Sequence, residues 1–355
     1  MNIGLTVYGS LDERSGGFRY DRKLVEELRR RGDTVDVVEL PWREYARGLL
    51  DNASRTVRDR LEVDVDVMLQ DELAHPSLVW QNRRVRYPVV SIVHHLRASE
   101  PRRLSRFYRA VERRYLGTVD AVVCNSTVTQ DAVVDLGVDQ SATVVAPPAG
   151  DRFDPAIDSE RIDDRAHNGP LQVVCVGNLE PRKGVDTLVE AVSMTGADVE
   201  LTVVGRSVDT AYVTGIRERI RELSLDGCVE LTGELTDRAL AETLRAAHVL
   251  AVPSRYEGFG IVYLEGMSFG LPAIASRAGG ATDIVSPGET GLLVDPDTPS
   301  AVARALTTLD ADRDRLAEMG RAARRHYDQH PDWATTTARV RRLLRETISA
   351  QEVVA

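Results

Sequence analysis

Short apolar runs alternate with longer amphipathic segments along almost the whole chain. The opening run, MNIGLTVYGS, is typical of a buried strand that ends in a turn. In the next segment, FRYDRKLVEELRRRG, apolar residues recur at helical spacing, and TVDVVEL then predicts a second strand. A strand, a glycine loop, a helix and a strand in this order predict the opening of a Rossmann-like unit, although the dinucleotide motif G-x-G-x-x-G is absent.

The same alternation continues to the end of the chain and predicts two α/β domains. We expect a first Rossmann-like domain over residues 1–150 and a second over residues 170–330. The polar residues 151–169 between them are predicted to be a linker, and residues 331–355 a final helix with apolar positions at Val340, Leu343 and Leu344.

Length and composition fit two globular domains. The 355 residues are 43% hydrophobic and 28% charged, and no apolar run reaches the roughly 18 residues of a membrane span. With no recognisable signal peptide, we expect a cytoplasmic protein. The three cysteines lack metal-ligand spacing, and a net charge of −10 argues against general nucleic-acid binding.

Candidate chemistry is concentrated in residues 252–280, VPSRYEGFGIVYLEGMSFGLPAIASRAGG. Glu257 and Glu265 stand eight residues apart across a predicted loop-to-helix junction, with Gly270 as the predicted end of the helix. Glycines before the helix let backbone approach a ligand closely, and the N–H groups of a helix start favour phosphate. The stretch therefore predicts a site for a polyol joined to a phosphate.

The segment E-G-F-G-I-V-x-x-E and the following G-L-P-x-I-A-S resemble the two-glutamate signature of the retaining glycosyltransferases of family 4. The resemblance implies the GT-B fold, with two Rossmann-like domains facing across a cleft and a C-terminal helix crossing back to the first domain. It also implies a nucleoside diphosphate sugar as donor, bound by the second domain, and an acceptor bound by the first.

Residue roles in the second domain follow from the same resemblance. Glu257 would bind hydroxyls of the donor sugar and Glu265 the ribose, while the turn containing Leu235 would line the base. Lys183 matches a family lysine that binds the diphosphate, but Asn178 stands where the family has arginine. We expect Arg182 to supply the second cation. Backbone amides would face the sugar and diphosphate from four residues, Gly258, Phe259, Gly260 and Ile261.

In the first domain the resemblance points to a glycine pair and a strand-end histidine. Gly16 and Gly17 would let the loop after the first strand pass close to the donor diphosphate and the acceptor. His94 would stand beside the donor sugar, with its neighbour His95 on the acceptor side or in packing. An ordinary turn and a structural histidine are the alternatives.

The implied reaction is sugar transfer with retention, by front-side attack in which the leaving phosphate takes the acceptor proton. The fold implies no D-x-D metal arrangement, so we expect no essential metal and no cofactor apart from the donor. A GT-B sugar-nucleotide epimerase and a non-catalytic nucleotide-sugar-binding protein are the alternatives, the latter supported only by Asn178.

An arginine-rich segment runs from Arg83 to Arg114, with ten arginines and two acids, Glu100 and Glu112. Within it, five apolar residues recur at helical spacing: Leu104, Phe107, Tyr108, Val111 and Tyr115. The segment is either a domain helix with a solvated basic face, or a surface for an anionic acceptor or an anionic membrane. From the second interpretation we predict a phosphorylated or lipid-linked acceptor and peripheral contact with the inner face of the cell membrane.

Overall fold

The computed structural model describes residues 1–13, 15–100 and 104–354. Packing divides the chain into two units, one formed by Met1–Ala149 with Pro331–Ala355 and the other by Gly150–His330. Each unit is built around one six-stranded, wholly parallel sheet. The α/β class predicted from the alternation of apolar runs and amphipathic segments is confirmed.

The first unit has the sheet order β2-β1-β3-β4-β5-β6. Its strands are β1 (Asn2–Tyr8), β2 (Thr34–Leu40), β3 (Val67–Asp71), β4 (Val89–Val93), β5 (Ala121–Cys124) and β6 (Thr143–Val145). Its helices before residue 150 are α1 (Gly16–Arg30), α2 (Tyr45–Asp51), α3 (Arg55–Leu61), α4 (His75–Leu78), α5 (Ser105–Leu116) and α6 (Thr127–Asp135).

The second unit has the order β12-β11-β10-β7-β8-β9. Its strands are β7 (Leu171–Val176), β8 (Val199–Val204), β9 (Val229–Gly233), β10 (Val249–Val252), β11 (Ala273–Ser276) and β12 (Gly291–Val294). Its helices are α7 (Ser159–Ala166), α8 (Val185–Met194), α9 (Thr210–Glu222), α10 (Asp237–Ala246), α11 (Ile261–Ser268), α12 (Pro299–Ala311) and α13 (Arg313–Gln329). The central strand β10 is buried throughout, which explains its continuous apolar run.

The prediction that residues 151–169 form a linker is wrong, because this stretch contains the helix α7. Asp158 caps the helix by accepting a hydrogen bond from the backbone N–H of Arg161 at 3.0 Å, and the side chains of Ile162 and Ala166 are buried in the second unit. The helix exposes its polar residues, and with only two buried positions its apolar period is too sparse to stand out in the sequence.

The last helix, α14 (Trp333–Val354), completes the core of the first unit, as the family resemblance implied. Trp333, Val340 and Leu344 are buried in that core, where α14 packs against α1, β5 and β6. The Arg341 guanidinium also pairs with Asp33 at 2.6 and 2.8 Å. The return of the chain to its first unit therefore rests on both apolar burial and an ion pair.

The predicted apolar stripe of α5 is only half buried. Tyr115 lies in the core, but Leu104 and Phe107 keep 58% and 46% of their surface exposed. A buried position between Phe107 and Tyr115 is taken by Glu112. Glu112 accepts hydrogen bonds from the backbone N–H groups of Arg97 and Ala98, which explains a carboxylate inside the fold. Arg102 and Arg103 of the arginine-rich segment lie outside the described residues.

We predict that Leu344→Ala lowers the free energy of unfolding of the first unit by about 2–5 kcal/mol, because it leaves a cavity at a fully buried position. All three tryptophans, Trp42, Trp80 and Trp333, belong to this unit, so urea unfolding followed by tryptophan fluorescence reports on it alone. The exposed neighbour Arg345 supplies the control, Arg345→Ala, with a change within about 0.5 kcal/mol. A comparably small effect of Leu344→Ala would mean that α14 is not part of this core.

Candidate functional site

The centre of the second unit's site is the carboxylate of Glu257, which lies between β10 and α11 and is only 6% exposed. The Lys183 ammonium lies 2.6 Å from its Oε1, and Nη1 of Arg182 lies 3.4 Å from its Oε2. The Ser254 hydroxyl donates a third bond to Oε1 at 2.7 Å. Burial alone would raise the pKa of Glu257, but Lys183 and Arg182 outweigh it and lower the pKa to about 2.

Glycines bring the loops of this site together at distances that a side chain would prevent. Gly184, with φ of +68°, ends the turn that carries Arg182 and Lys183, and a Cβ there would lie 2.3 Å from the carbonyl oxygen of Pro253. A Cβ on Gly279 would lie 2.0 Å from the carbonyl oxygen of Glu257. The glycine pair Gly279-Gly280 therefore supports the loop before α11, and Gly280 donates its N–H to Glu257 O at 2.8 Å.

Helix α11 begins at Ile261, within the predicted loop-to-helix junction, and its first turn has no side-chain cap. Gly260 occupies the N-cap position with φ of +90° and offers no side-chain oxygen to the N–H groups that follow. Of the four residues predicted to present amides here, Phe259 is buried, whereas Gly258, Gly260 and Ile261 are half-buried. Because helix-start N–H groups attract anions, this turn is suited to phosphate.

Glu265 lies in α11 with its side chain buried, and its neighbour is a residue that sequence reasoning missed. Nη1 of Arg152 lies 3.5 Å from Oε2 of Glu265, and Nη2 of the same guanidinium lies 2.6 Å from Asp237 Oδ1. Asp237 opens α10, directly after the turn that holds the half-buried Leu235. Arg152 thus links the predicted ribose residue to the turn predicted to line the base.

Arg182 and Lys183 are brought together at Glu257, and Asn178 is half-buried in the same loop. Arg182 also contacts Glu180 through Nη2 at 2.8 Å and donates to the carbonyl of Tyr256 at 3.1 Å. The two cations predicted for a diphosphate therefore also hold the predicted sugar-binding carboxylate in place.

In the first unit, His94 follows β4 at the carboxyl edge of the sheet, where open α/β sheets bind ligands. Its Nε2 lies 3.2 Å from Oδ1 of Asp21, a fully buried residue of α1. A Cβ on Gly17 would lie 3.0 Å from Cδ2 of the His94 ring, so the structure brings Gly17 and His94 together. Gly16 is exposed at the start of α1, and Ser15 caps that helix by accepting from the N–H of Phe18.

Further carboxyl groups surround His94. Glu72 accepts the backbone N–H of His94 at 3.0 Å, and one ligand atom from each of Asp21, Asp71 and His94 lies within 4.8 Å of the others. Among the described residues, these three side chains are the group best placed to hold a metal ion.

The residues that sequence reasoning missed are Asp21, Glu72, Ser254 and Arg152. For Asp21 a signal exists, because it falls on the apolar stripe of α1 together with Phe18, Leu24 and Val25. A charged residue on a buried stripe indicates a buried partner. The others stand in loops or at element ends, where no periodicity singles them out.

Two family models match the chain. The model described as "Glycosyl transferases group 1" matches residues 157–326, and the model described as "Glycosyltransferase Family 4" matches residues 18–151. The two matches fall on the second and the first unit, respectively.

Several curated proteins are similar to the chain. A D-inositol 3-phosphate glycosyltransferase of Corynebacterium glutamicum (strain R) is 33% identical, over 69% of this chain and 62% of that protein. A GDP-mannose-dependent alpha-(1-6)-phosphatidylinositol monomannoside mannosyltransferase of Mycobacterium tuberculosis is 34% identical, over 67% and 64%. The chain thus spans somewhat less than two thirds of both. A D-inositol 3-phosphate glycosyltransferase of Corynebacterium efficiens is 31% identical, over 75% and 67%.

Solved structures share the fold over the whole chain. Sucrose-phosphate synthase of Thermosynechococcus elongatus superposes with a TM-score of 0.83 at 22% identity, covering 98% of this chain and 99% of that one. HepE of Anabaena, in complex with UDP and glucose, gives 0.77 at 20% identity, covering 98% and 100%. Together with the two parallel sheets, these likenesses confirm the predicted GT-B fold of two Rossmann-like domains. Since family models match both units, and a relative is 31% identical over two thirds of its own length, the chain belongs to the family 4 glycosyltransferases, group 1.

Proposed function

We propose that the protein is a retaining glycosyltransferase that moves a sugar from a nucleoside diphosphate sugar to an acceptor. The observation that carries this proposal is the buried Glu257, held by Lys183 and Arg182 at the start of α11. A carboxylate, two cations and an uncapped helix start together complement a sugar joined to a diphosphate. The relatives named as mannosyltransferases and glycosyltransferases support the same reaction class.

The charge state of Glu257 supports a role in binding rather than in proton transfer. A carboxyl group with a pKa near 2 is ionised at every physiological pH, so it accepts hydrogen bonds from sugar hydroxyls and holds no proton to donate. Its pairing with two cations also weakens it as a nucleophile. Both features favour front-side attack, in which the leaving phosphate takes the acceptor proton.

Arg182 and Lys183 then neutralise the charge that develops on the diphosphate as the glycosidic bond breaks. Glu265 binds the ribose hydroxyls, and Arg152 holds its carboxylate in position. Amides of residues 258–261 face the sugar and diphosphate, and Leu235 lines the base.

In the first unit His94 stands beside the donor sugar, and Gly16 and Gly17 allow the loop after β1 to pass close to the substrates. With two protein cations available for the diphosphate, we expect no metal to be essential.

A donor panel tests the reaction class. The protein is incubated with uridine, guanosine and adenosine diphosphate sugars, with and without inositol phosphate or phosphatidylinositol as acceptor, and nucleotide release is measured. Release that requires an acceptor, with an anomer-retained product by NMR, supports the proposal. Interconversion of the donor sugar without acceptor would indicate an epimerase, and binding without any conversion a nucleotide-sugar-binding protein.

The acceptor is proposed to be anionic and lipid-linked, and the protein to contact the membrane surface peripherally. Helix α5 carries four exposed arginines beside the exposed Leu104 and Phe107, a combination suited to anionic headgroups and the acyl boundary. Among the described residues, no helix combines the length and apolarity needed to span a bilayer. A relative named for action on a phosphatidylinositol mannoside adds support.

We predict that Lys183→Ala reduces turnover by about 10²–10³-fold, the usual loss when one preorganised donor to developing charge is removed. The matched control is Lys23→Ala, which removes the chain's other lysine, on α1, and should leave turnover unchanged. Arg182→Ala should resemble Lys183→Ala. A neutral Arg182→Ala combined with a large loss in Asn178→Ala would assign the second diphosphate contact to Asn178 instead.

We predict that Glu265→Ala weakens nucleoside diphosphate binding by about 1.5–3 kcal/mol, the scale of a hydrogen bond to a charged group. Isothermal titration with uridine, guanosine and adenosine diphosphates measures the loss. Glu242→Ala, at an exposed position of α10, serves as the control. Unchanged affinity of Glu265→Ala for the preferred nucleotide would contradict the ribose assignment.

We predict that the protein co-sediments with anionic vesicles, that added salt weakens this binding, and that neutral vesicles do not bind it. Replacing Arg106 and Arg109 by Ser should reduce the bound fraction, because each arginine near an anionic surface contributes about 1 kcal/mol. The matched control replaces Arg217 and Arg221, two exposed arginines of α9 in the second unit. Equal binding to both vesicle types, or none to either, would leave α5 as a solvated basic face.

A further inference from the structure

A cavity of about 660 Å³ lies in the first unit, at the amino edge of its sheet. Its walls come from the end of α3 and from the two segments that lead into β3 and β4, residues 62–65 and 84–87. His94 follows the opposite end of β4, a strand of five residues that spans about 17 Å. The cavity is therefore separate from the carboxyl edge of the same sheet, where the candidate site residues of this unit lie.

Hydrogen bonds between the walls fix the shape of the cavity. The Tyr87 hydroxyl donates to the carbonyl of Leu61 at 2.7 Å and so joins the segment before β4 to the end of α3. Beside the cavity, the side-chain amides of Gln70 and Asn82 donate to each other at 2.8 and 3.0 Å, which joins β3 to the turn before residues 84–87. A cavity with walls tied in this way is preformed, as small-molecule sites usually are.

Gln81 lines the cavity with a side chain that is only 1% exposed, and the orientation of its amide is determined. Its Nε2 lies 3.1 Å from each of three backbone carbonyl oxygens, those of Asp51, Asn52 and Ser54. An exchange of amide nitrogen and oxygen would place oxygen against these carbonyls. Among the described residues, Oε1 of Gln81 has no hydrogen-bond partner. A buried acceptor of this kind favours a ligand group that carries an N–H or O–H.

Arg58 of α3 supplies the complementary group in the same cavity. Its Nε is buried and has no hydrogen-bond partner within the described part of the chain. A guanidinium binds a carboxylate through two parallel hydrogen bonds, and it remains charged at every physiological pH. Arg58 therefore favours a ligand that brings an anionic oxygen into the cavity.

The charged residues that line the cavity carry both signs. Arg58, Arg84 and Arg86 stand against Glu62 and Asp64, which leaves one net positive charge. Among the residues that the structure describes, none of these five forms an ion pair. One excess positive charge suits a monoanion such as a carboxylate. A phosphate monoester would bring a charge of about −1.5 to −2 toward two carboxylates as well.

Apolar groups supply most of the remaining lining, namely Leu61, Val63, Val65, Val85 and the ring of Tyr87. The cavity volume falls within the range of about 300–1,000 Å³ that is typical of sites for small molecules. Such sites combine apolar walls with a few polar groups that orient the ligand. The ligand is therefore expected to have an apolar body beside its charged group.

We propose that this cavity binds a small organic carboxylate that has an apolar body and an N–H or O–H donor. The carboxylate pairs with Arg58, Oε1 of Gln81 accepts the donor's hydrogen, and the apolar body packs against the Tyr87 ring and the valines. The site lies within the first unit and takes neither a nucleotide sugar nor a sugar acceptor, so the proposal does not depend on the proposed function.

Isothermal titration with N-acetyl-L-phenylalanine tests the proposal, because this probe combines a carboxylate, an amide N–H and an aromatic ring. We expect saturable binding of one probe per chain. The neutral N-acetyl-L-phenylalaninamide should bind about 10- to 100-fold more weakly, since it loses a hydrogen bond to a charged group. Hydrocinnamate, which lacks the N–H, should bind roughly 2- to 10-fold more weakly. Equal affinity for the acid and the amide, or no binding of any probe, would overturn the proposal.

Further titrations test the class of anion and the place of binding. Phenyl phosphate and inorganic phosphate should both bind more weakly than N-acetyl-L-phenylalanine. Tighter binding of phenyl phosphate would overturn the carboxylate assignment, and equally tight binding of inorganic phosphate would reduce the cavity to an unspecific anion contact. Saturating uridine or guanosine diphosphate should leave the affinity for the probe unchanged. Competition by either nucleotide would place the probe in the donor site and overturn the proposal.

Two variants locate the probe in the cavity. Arg58→Met keeps an unbranched apolar stem and should weaken binding about 10- to 100-fold without lowering the melting temperature, because the guanidinium has no ion-pair partner among the described residues. A lower melting temperature would indicate a structural role for Arg58 and count against the proposal. Arg55→Met, at an exposed position of the same helix, is the matched control and should leave the affinity unchanged.

The second variant, Val85→Phe, fills the cavity from a half-buried position and leaves Arg58 in place. It should abolish probe binding while the circular dichroism spectrum stays that of the unsubstituted protein. Unchanged probe affinity in a folded Val85→Phe protein would overturn the proposal, whatever the outcome for Arg58→Met.

Discussion

The arrangement of the second unit's site depends on compensating one buried carboxylate. The burial of Glu257 is compensated because an ammonium, a guanidinium and a hydroxyl reach it from two loops. That requirement fixes the turn after β7, the end of β10 and the start of α11 against each other. The glycines at these junctions are needed because only backbone without Cβ allows the loops so close. Charge compensation therefore uses the same groups that are proposed to bind the donor.

The sequence was most informative where one periodicity or one motif determined the outcome. Buried parallel strands appear as continuous apolar runs, so the strands of both sheets could be predicted. The end of α11 could be predicted from Gly270. Helix α7 was missed because its two buried residues, Ile162 and Ala166, make too weak an apolar pattern beside many charges. The stripe of α5 was overestimated, since spacing alone does not show whether anything covers Leu104 and Phe107.

The residues of the candidate site likewise form two groups, those that a motif reveals and those that no local pattern reveals. Glu257 and Glu265 could be identified from residue types and spacing, and Lys183 from its match to the family's motif. Their partners Arg152 and Ser254, and the carboxyl groups around His94, come from segments distant in sequence or from loops without a pattern. A contact between Asp21 and His94 spans 73 positions, and only the parallel pairing of β1, β3 and β4 brings their elements to one edge. Ion pairs between residues far apart in sequence depend on the order of strands in the sheet, and a local sequence pattern does not reveal that order.

The placement of α14 has a consequence for how the protein is made. The core that contains β1 and α1 also needs Trp333, Val340 and Leu344, which leave the ribosome only after the entire second unit. The second unit is one continuous segment of the chain, so all of its strands and helices are present as soon as that segment has been synthesised. The first unit, although begun earlier, stays incomplete with an uncovered apolar face during that time, the kind of surface on which chaperones act. Synthesis order and folding order are thus expected to be opposite in this chain.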